Sequence, residues 1–143
     1  MKKFSKKIIL VLVIVLVSSA LVQGWGFFAH QRINRLAAFI LPQEMLGFYK
    51  AHLVYITEHA IDPDARRYAV EGEAPRHYID LDIYGDSAIY EMPHKWKDAV
   101  EKYSEDTLQA YGIVPWHINK MRYRLTKAFK DRKPYKILKI SAE

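Results

Sequence analysis

Hydrophobic positions recur three or four residues apart along most of this chain, which is the spacing of one face of an α-helix. A first helix is predicted from about 28 to 41. Its inward face comprises Phe28, Ile33, Leu36, Ala37 and Ile40. Pro42 ends this helix and can begin a second one, which runs to about Ala60. Asp62-Pro63-Asp64 then stops the second helix, because a residue that precedes proline leaves the helical conformation.

The second half of the chain alternates short helices with polar loops. Residues 62–75 are predicted to form an irregular loop, and a short helix or turn carries Arg76 to Asp82. Further helices are predicted at 94–103, at 105–111 before Gly112, at about 115–130, and from Pro134 onward. Because no alternating pattern typical of a strand competes with these helices, the predicted fold class is all-α.

The first 24 residues have the pattern of a secretory signal peptide. A basic start is followed by the apolar run Ile8 to Val17 and by small residues up to Gly24. The apolar run is shorter than the roughly 20 residues of a transmembrane helix, although an uncleaved membrane anchor is the competing interpretation. We therefore expect an exported protein, periplasmic or extracellular, whose mature helical domain spans 25–143.

Removal of the leader changes the charge balance. The whole chain has 22 Lys and Arg against 16 Asp and Glu, a formal net charge of +6. The leader contains four of the basic residues and none of the acidic ones, so the mature chain has 18 against 16, or +2. Overall charge is therefore no argument for nucleic-acid binding. The absence of cysteine excludes a disulfide-linked partner and leaves stability to the core or to a metal.

The segment Trp25-Gly-Phe-Phe-Ala-His30 contains the first candidate metal ligands. Signal-peptide cleavage would leave a free α-amino group on Trp25, whose pKa of about 7.7–8.0 allows it to bind a metal near neutral pH. The Trp25 carbonyl and His30 are further ligands of the same kind. We interpret the segment as one corner of a zinc site. The alternative is a processed terminus beside an ordinary histidine at the start of a helix.

A second cluster of candidate residues extends from Asp62 to Asp82. Zinc binds histidine nitrogen and carboxylate oxygen, and His77 and Asp64 offer one of each. Arg67 lies three residues after Asp64 and could hold a phosphate, because the planar guanidinium donates two parallel hydrogen bonds. The alternative is a common turn, a solvated arginine and a buried histidine. His94 and His117 each lie next to a helix start, have no obvious carboxylate partner and are interpreted as structural or surface residues.

Taken together, these motifs resemble the zinc-dependent phospholipase C and single-strand-specific nuclease superfamily. The motifs are a leader, Trp-Gly with a histidine five residues after the tryptophan, Asp-x-x-Arg, and His-Tyr-Ile-Asp. Members of that superfamily are exported, all-helical enzymes that hydrolyse phosphodiester or phosphomonoester bonds with three zinc ions. The resemblance implies that Trp25 and His30 bind one zinc ion and that Asp64 and His77 bind another.

The resemblance also implies roles in substrate binding. Arg67 matches an arginine that contacts phosphate, and Tyr78 and Asp80 match positions that hold a nucleobase in the nuclease branch. Asp62 remains an alternative to Asp64, which is preferred because only Asp64 has an arginine three residues later. Whether the phosphodiester belongs to a phospholipid or to a nucleic acid stays open.

The resemblance covers residues 25–82 and weakens after them. The family's second half supplies a His-Asp-His cluster and a further histidine and carboxylate, and no such spacing follows His77. We therefore expect the N-terminal portion of such a bundle, inactive by itself. The alternative function is an exported binding module without catalysis, whose helix at 115–132 contacts an anionic membrane surface. Its basic side chains are Lys120, Arg122, Arg124, Lys127, Lys130 and Arg132.

Overall fold

The computed structural model describes residues 26–143, which form α-helices and short 3-10 helices joined by turns. No strand occurs in that range, so the predicted all-α fold class is confirmed. The chain divides into two compact units, the first ending at Ile61 and the second comprising Asp62–Glu143. The predicted signal peptide and Trp25 lie outside the described residues.

The first unit contains helix α1 at 26–37 and two further α-helices. The elements that follow α1 are a 3-10 helix Ala38–Ile40, α2 Gln43–Ala51, α3 Leu53–Glu58 and a 3-10 helix His59–Ile61. The prediction of one continuous helix to Ala60 is wrong, because His52 leaves helical conformation at φ −115° and ψ 23°. The His52 ring Nδ1 lies 2.9 Å from the Phe48 carbonyl oxygen and takes the place of the helical backbone donor.

Helix α1 does not bury the face that its apolar spacing predicts. Ile33 is 62% exposed and Ile40 is 86% exposed, whereas Ala38 is buried. The side chain of Asn34 donates a hydrogen bond of 3.4 Å to the carbonyl of Ile56, which is itself buried in α3. Asn34 and Ala38 are four residues apart on one side of the helix. Helix α1 therefore contacts the rest of the first unit through a different side from the one predicted.

The second unit begins with a helix where the sequence predicted a loop. Its elements are α4 Asp62–Arg66, 3-10 helices Ala74–His77 and Leu81–Tyr84, α5 Ala88–Glu91, α6 Trp96–Tyr103, α7 Glu105–Tyr111, α8 Val114–Lys130 and α9 Pro134–Ala142. Pro63 does not break α4, because a proline in the first turn lacks only an N–H that would have no helical partner. The helices predicted at 105–111 and 115–130 are confirmed.

A small aromatic core joins α6, α7 and α8. Ala99 and Leu108 are completely buried, and Trp116 is almost so. The indole of Trp116 packs edge-on against that of Trp96 at 5.7 Å between ring centroids. The Trp116 Nε1 donates a hydrogen bond of 3.0 Å to the Pro93 carbonyl oxygen, so the buried indole N–H is satisfied. This core fixes the start of α8 beside the segment that carries the candidate site.

Helix α8 packs along α9 and leaves most of its surface exposed. The buried side chains of this pair are Trp116, Ala128, Ile137, Leu138 and Ala142. Ile118 and Phe129, which the apolar spacing places on the inward side of α8, are both exposed. Within residues 26–143, no helix is long and apolar enough to span a bilayer.

Candidate functional site

The segment 75–80 is held against residues 110–114 by four hydrogen bonds. Backbone N–H groups donate from Ile113 to Pro75 at 2.7 Å, from Asp80 to Tyr111 at 2.8 Å and from Val114 to Tyr78 at 3.2 Å. The Tyr78 hydroxyl donates to the Ala110 carbonyl oxygen at 3.1 Å. His77 lies inside this segment, so the connection between α7 and α8 determines where its backbone stands.

Gly112 makes this close approach possible. Its φ of +95° is a conformation that side chains disfavour. A Cβ built on Gly112 would overlap the carbonyl group and ring of Tyr78. Only glycine therefore allows the two segments to come this close.

Asp64 and His77 meet in the second unit although thirteen positions separate them in sequence. The His77 Nδ1 lies 3.2 Å from the Asp64 Oδ1, and their side chains are 17% and 22% exposed. Helix α4 supplies Asp64, and the 3-10 helix Ala74–His77 supplies the histidine at its last position. Of the two alternative aspartates, the one beside His77 is thus Asp64, whereas Asp62 is exposed at the start of α4.

Glu73 is a member of this cluster that the sequence analysis missed. It is the buried charged residue of the described chain, at 2% exposure. Its Oε1 lies 3.2 Å from the Arg66 Nε, and its Oε2 lies 2.6 Å from the Arg76 Nη1. The same Oε1 is 3.8 Å from the His77 Nε2. The spacing of Glu73 three and four residues before Arg76 and His77 was the sequence signal that could have identified it.

The two arginines keep Glu73 ionised. Burial by itself raises the pKa of Glu73, but a hydrogen bond from Arg66 and the charges of Arg66, Arg76 and His77 outweigh it and lower the pKa below the usual 4.5. Arg66 also pairs with Glu143, with 3.4 Å between Nη1 and Oε1. A chain of charges therefore extends from the end of the described sequence to His77.

The residues expected to bind substrate lie near this cluster in sequence but differ in exposure. Asp80 is exposed, and Tyr78 is half-buried with its hydroxyl bonded within the unit. The Arg67 backbone N–H donates to the Asp64 carbonyl at 3.3 Å, and its guanidinium lies 5.8 Å from the Tyr68 ring centroid. The structure thus places the Arg67 backbone beside Asp64, while its side chain contacts Tyr68. His30 belongs to the first unit and is exposed on α1.

The Asp64 and His77 pair fits two ligand positions of one zinc ion. Zinc bonds of about 2.0–2.2 Å in a tetrahedron imply that neighbouring ligand atoms are about 3.3–3.6 Å apart. The distance of 3.2 Å between Nδ1 and Oδ1 is close to that value. Within residues 26–143, no group of three His, Asp or Glu side chains is arranged to hold a metal ion. The described residues thus bring together two atoms of the types that zinc binds.

A groove of about 970 Å³ lies on the second unit beside this cluster. Arg76 is shared between the groove and the Glu73 cluster, and His117, Lys120 and Arg124 line it further along. Burial lowers the pKa of His117 from its usual 6.5, and the charge of Arg76 lowers it further. The charge of Glu73 acts on the pKa of His117 in the opposite direction, so His117 lies in the groove within reach of both Arg76 and Glu73.

Comparison of the chain with family models, curated proteins and solved structures found no match. The strongest single observation is that two motifs, Asp-x-x-Arg and His-Tyr-Ile-Asp, meet through Asp64 and His77.

Proposed function

We propose that this chain contributes two zinc-binding segments to a hydrolase of phosphate esters of the phospholipase C type, with the helical bundle of that superfamily. The observation that supports this function is the distance of 3.2 Å between the His77 Nδ1 and the Asp64 Oδ1. Two side chains of the types that zinc prefers face each other with low exposure.

Each candidate residue has a defined role in this proposal. Asp64 and His77 are ligands of one zinc ion, and Trp25 and His30 are ligands of a second one. Arg67 neutralises charge on the phosphoryl oxygens, and Tyr78 and Asp80 contact the group attached to the phosphate. When bound, zinc lowers the pKa of its water to about 7 and so supplies hydroxide at neutral pH. The substrate is a phospholipid or a nucleic acid.

The same proposal implies that the chain by itself does not catalyse the reaction. Asp64 and His77 supply two protein ligands to their ion, fewer than the three or four that zinc normally has in proteins. We expect weak zinc binding and no turnover of a chromogenic phosphodiester at saturating zinc. A monomeric preparation beginning at Trp25 that hydrolysed this substrate in a zinc-dependent way would contradict the inactivity.

Zinc binding at the pair can be tested with matched histidine variants. His77→Ala should abolish zinc binding at the Asp64 and His77 pair, because it removes one of the two ligands of that ion, and should leave any zinc bound through Trp25 and His30 in place. His117→Ala is the control, since His117 is also half-buried in the second unit but lies in the groove. Zinc content by mass spectrometry and helicity by circular dichroism would be measured for both. Equal zinc losses in the two variants would refute the assignment.

The proposed zinc site at Trp25 and His30 requires that the mature protein begin at Trp25. If Trp25 contributes its α-amino group, the exported protein must begin at that residue. The intact mass of protein recovered from the periplasm or medium reports the cleavage point directly. A mature chain that begins anywhere else has no Trp25 amine and cannot use it as a ligand.

A second candidate function is peripheral binding to an anionic membrane, which the surface of α8 favours. Its cations are exposed together with Ile118 and Tyr123, each at 62% exposure. Basic and apolar side chains on one surface helix suit an anionic bilayer. Co-sedimentation with phosphatidylserine vesicles would test this, with Lys120→Glu and Arg124→Glu together against Lys97→Glu on α6 as the control. Vesicle binding unaffected by the α8 changes would exclude this surface.

A further inference from the structure

The two ring nitrogens of His77 face two different carboxylates. Nδ1 lies 3.2 Å from the Asp64 Oδ1, whereas Nε2 lies 3.8 Å from the Glu73 Oε1. Nε2 is buried, and within the described residues it has no hydrogen-bond partner. A histidine that binds a metal through one nitrogen carries its proton on the other. The geometry around His77 therefore distinguishes the nitrogen that faces a candidate ligand from the one that faces a buried carboxylate.

Glu73 is well suited to accept a hydrogen bond from the inner nitrogen. It is 2% exposed, and Arg66 and Arg76 each hold one of its two oxygens. Both arginine side chains form ion pairs with Glu73, and both are about one-third exposed. They therefore bind the buried carboxylate while still reaching solvent. A carboxylate fixed by two guanidinium groups is not free to move toward a metal ion. The Glu73 Oε1 can still accept a hydrogen bond from the Nε2–H of His77, which faces it.

We infer that Glu73 is a positioning residue: it accepts the Nε2–H of His77 and thereby presents Nδ1, together with Asp64, to the metal ion. This inference rests on the proposed function, because it requires a metal at the pair. Metal-binding histidines usually donate their second N–H to a carboxylate, a carbonyl or a water, which fixes the ring and its tautomer. The present separation of 3.8 Å is longer than a hydrogen bond. A metal ion bound to Nδ1 and Asp64 leaves Nε2–H as the only donor of the ring, and Glu73 is the carboxylate on that side.

Nitrogen NMR of the full chain tests the inference without any substitution. In ¹⁵N-labelled protein, long-range proton–nitrogen spectra report which ring nitrogen carries the proton. On addition of zinc chloride, we expect His77 to bind through Nδ1 and to keep its proton on Nε2. Zinc bound through Nε2 would overturn the role of Glu73 and leave the zinc site intact. A His77 ring unaffected by zinc would refute the proposed function, and the role of Glu73 with it.

Substitution of Glu73 gives a second readout. Glu73→Met removes the acceptor at similar side-chain length, and we expect zinc affinity to fall about 10–100-fold. Glu73→Gln retains an acceptor oxygen and should recover part of that loss, which a merely structural role would not require. Glu71→Met is the matched control, because Glu71 is exposed two residues away. Zinc affinity is measured by chelator competition. Equal affinities in the Glu73→Met and Glu71→Met variants would contradict the inference. If Glu73→Met fails to fold, the NMR result on the unsubstituted chain decides.

Discussion

Gly112 is the residue whose replacement should disturb the candidate site most directly. Two features disfavour any side chain at this position: the φ of +95°, and the overlap that a Cβ would have with the Tyr78 carbonyl group. We expect Gly112→Ala to lower the free energy of unfolding by at least about 1–3 kcal/mol, the cost of a strained backbone position. Urea unfolding followed by circular dichroism measures this change.

Gly47 provides the control for that substitution. It lies inside helix α2, and a Cβ added there meets no atom within 4 Å. Gly47→Ala should therefore stabilise the chain by about 0.5–1 kcal/mol, because alanine loses less backbone entropy in a helix than glycine does. Equal effects of the two substitutions would show that the approach of Tyr78 to Gly112 is not required.

His117 should make the chain less stable in acid. Burial, followed by the charge of Arg76, lowers the pKa of His117 below 6.5, so the folded chain binds fewer protons than the unfolded chain in this range. Stability then rises with pH. The contribution is fully present above about pH 6.5 and is lost as the pH falls through the lower pKa of the folded state. The free energy of unfolding should fall less between pH 7.5 and 5 in His117→Gln than in the original chain. Parallel curves would contradict this.

At the scale of secondary-structure elements, Ser104 joins α6 to α7 without an intervening loop. Its φ is +68°, and its Oγ accepts the Thr107 N–H at 3.3 Å as an N-cap. Ser104→Ala removes the cap and should cost about 0.5–2 kcal/mol. Ser104→Gly also removes the cap but suits the positive φ, so it should cost only a few tenths of a kcal/mol. Thermal unfolding of the two variants gives the order, and a larger loss for glycine would be inconsistent with this account of the junction.

At the scale of the whole molecule, exposed apolar side chains on α1 predict association. Ile33 and Leu36 of α1, and Ile40 of the 3-10 helix that follows it, are all more than half exposed. Exposed apolar patches on soluble chains favour contacts with other copies. We expect the mass measured by light scattering to increase with concentration. Ile33→Lys with Leu36→Lys should reduce this increase, whereas Gln43→Lys on exposed α2 should not. A chain that remains monomeric throughout would contradict the prediction.

The sequence alone determined the fold class and the helices whose signals are local. Helices α7 and α8 follow from the apolar spacing of their own residues, from Gly112 at the end of α7 and from Pro115 in the first turn of α8. It also placed Asp64 and His77 among the candidate ligands, because both side chains have the chemistry that zinc binds. These properties depend on residue type and on neighbours within a few positions.

Tertiary structure decided what depends on residues far apart in sequence. The side of α1 that faces the rest of the first unit carries the contact of Asn34 with Ile56, which lies 22 residues later. The apolar spacing within a single helix cannot predict such a contact. The pairing of Asp64 with His77 depends on the approach of segment 75–80 to Gly112. The sequence shows the spacing of Glu73 to Arg76 and His77 but not that Glu73 is buried. Its burial between two arginines arises only when α4 and the 3-10 helix bring three charged side chains together, because charges leave water only where partners are already in place.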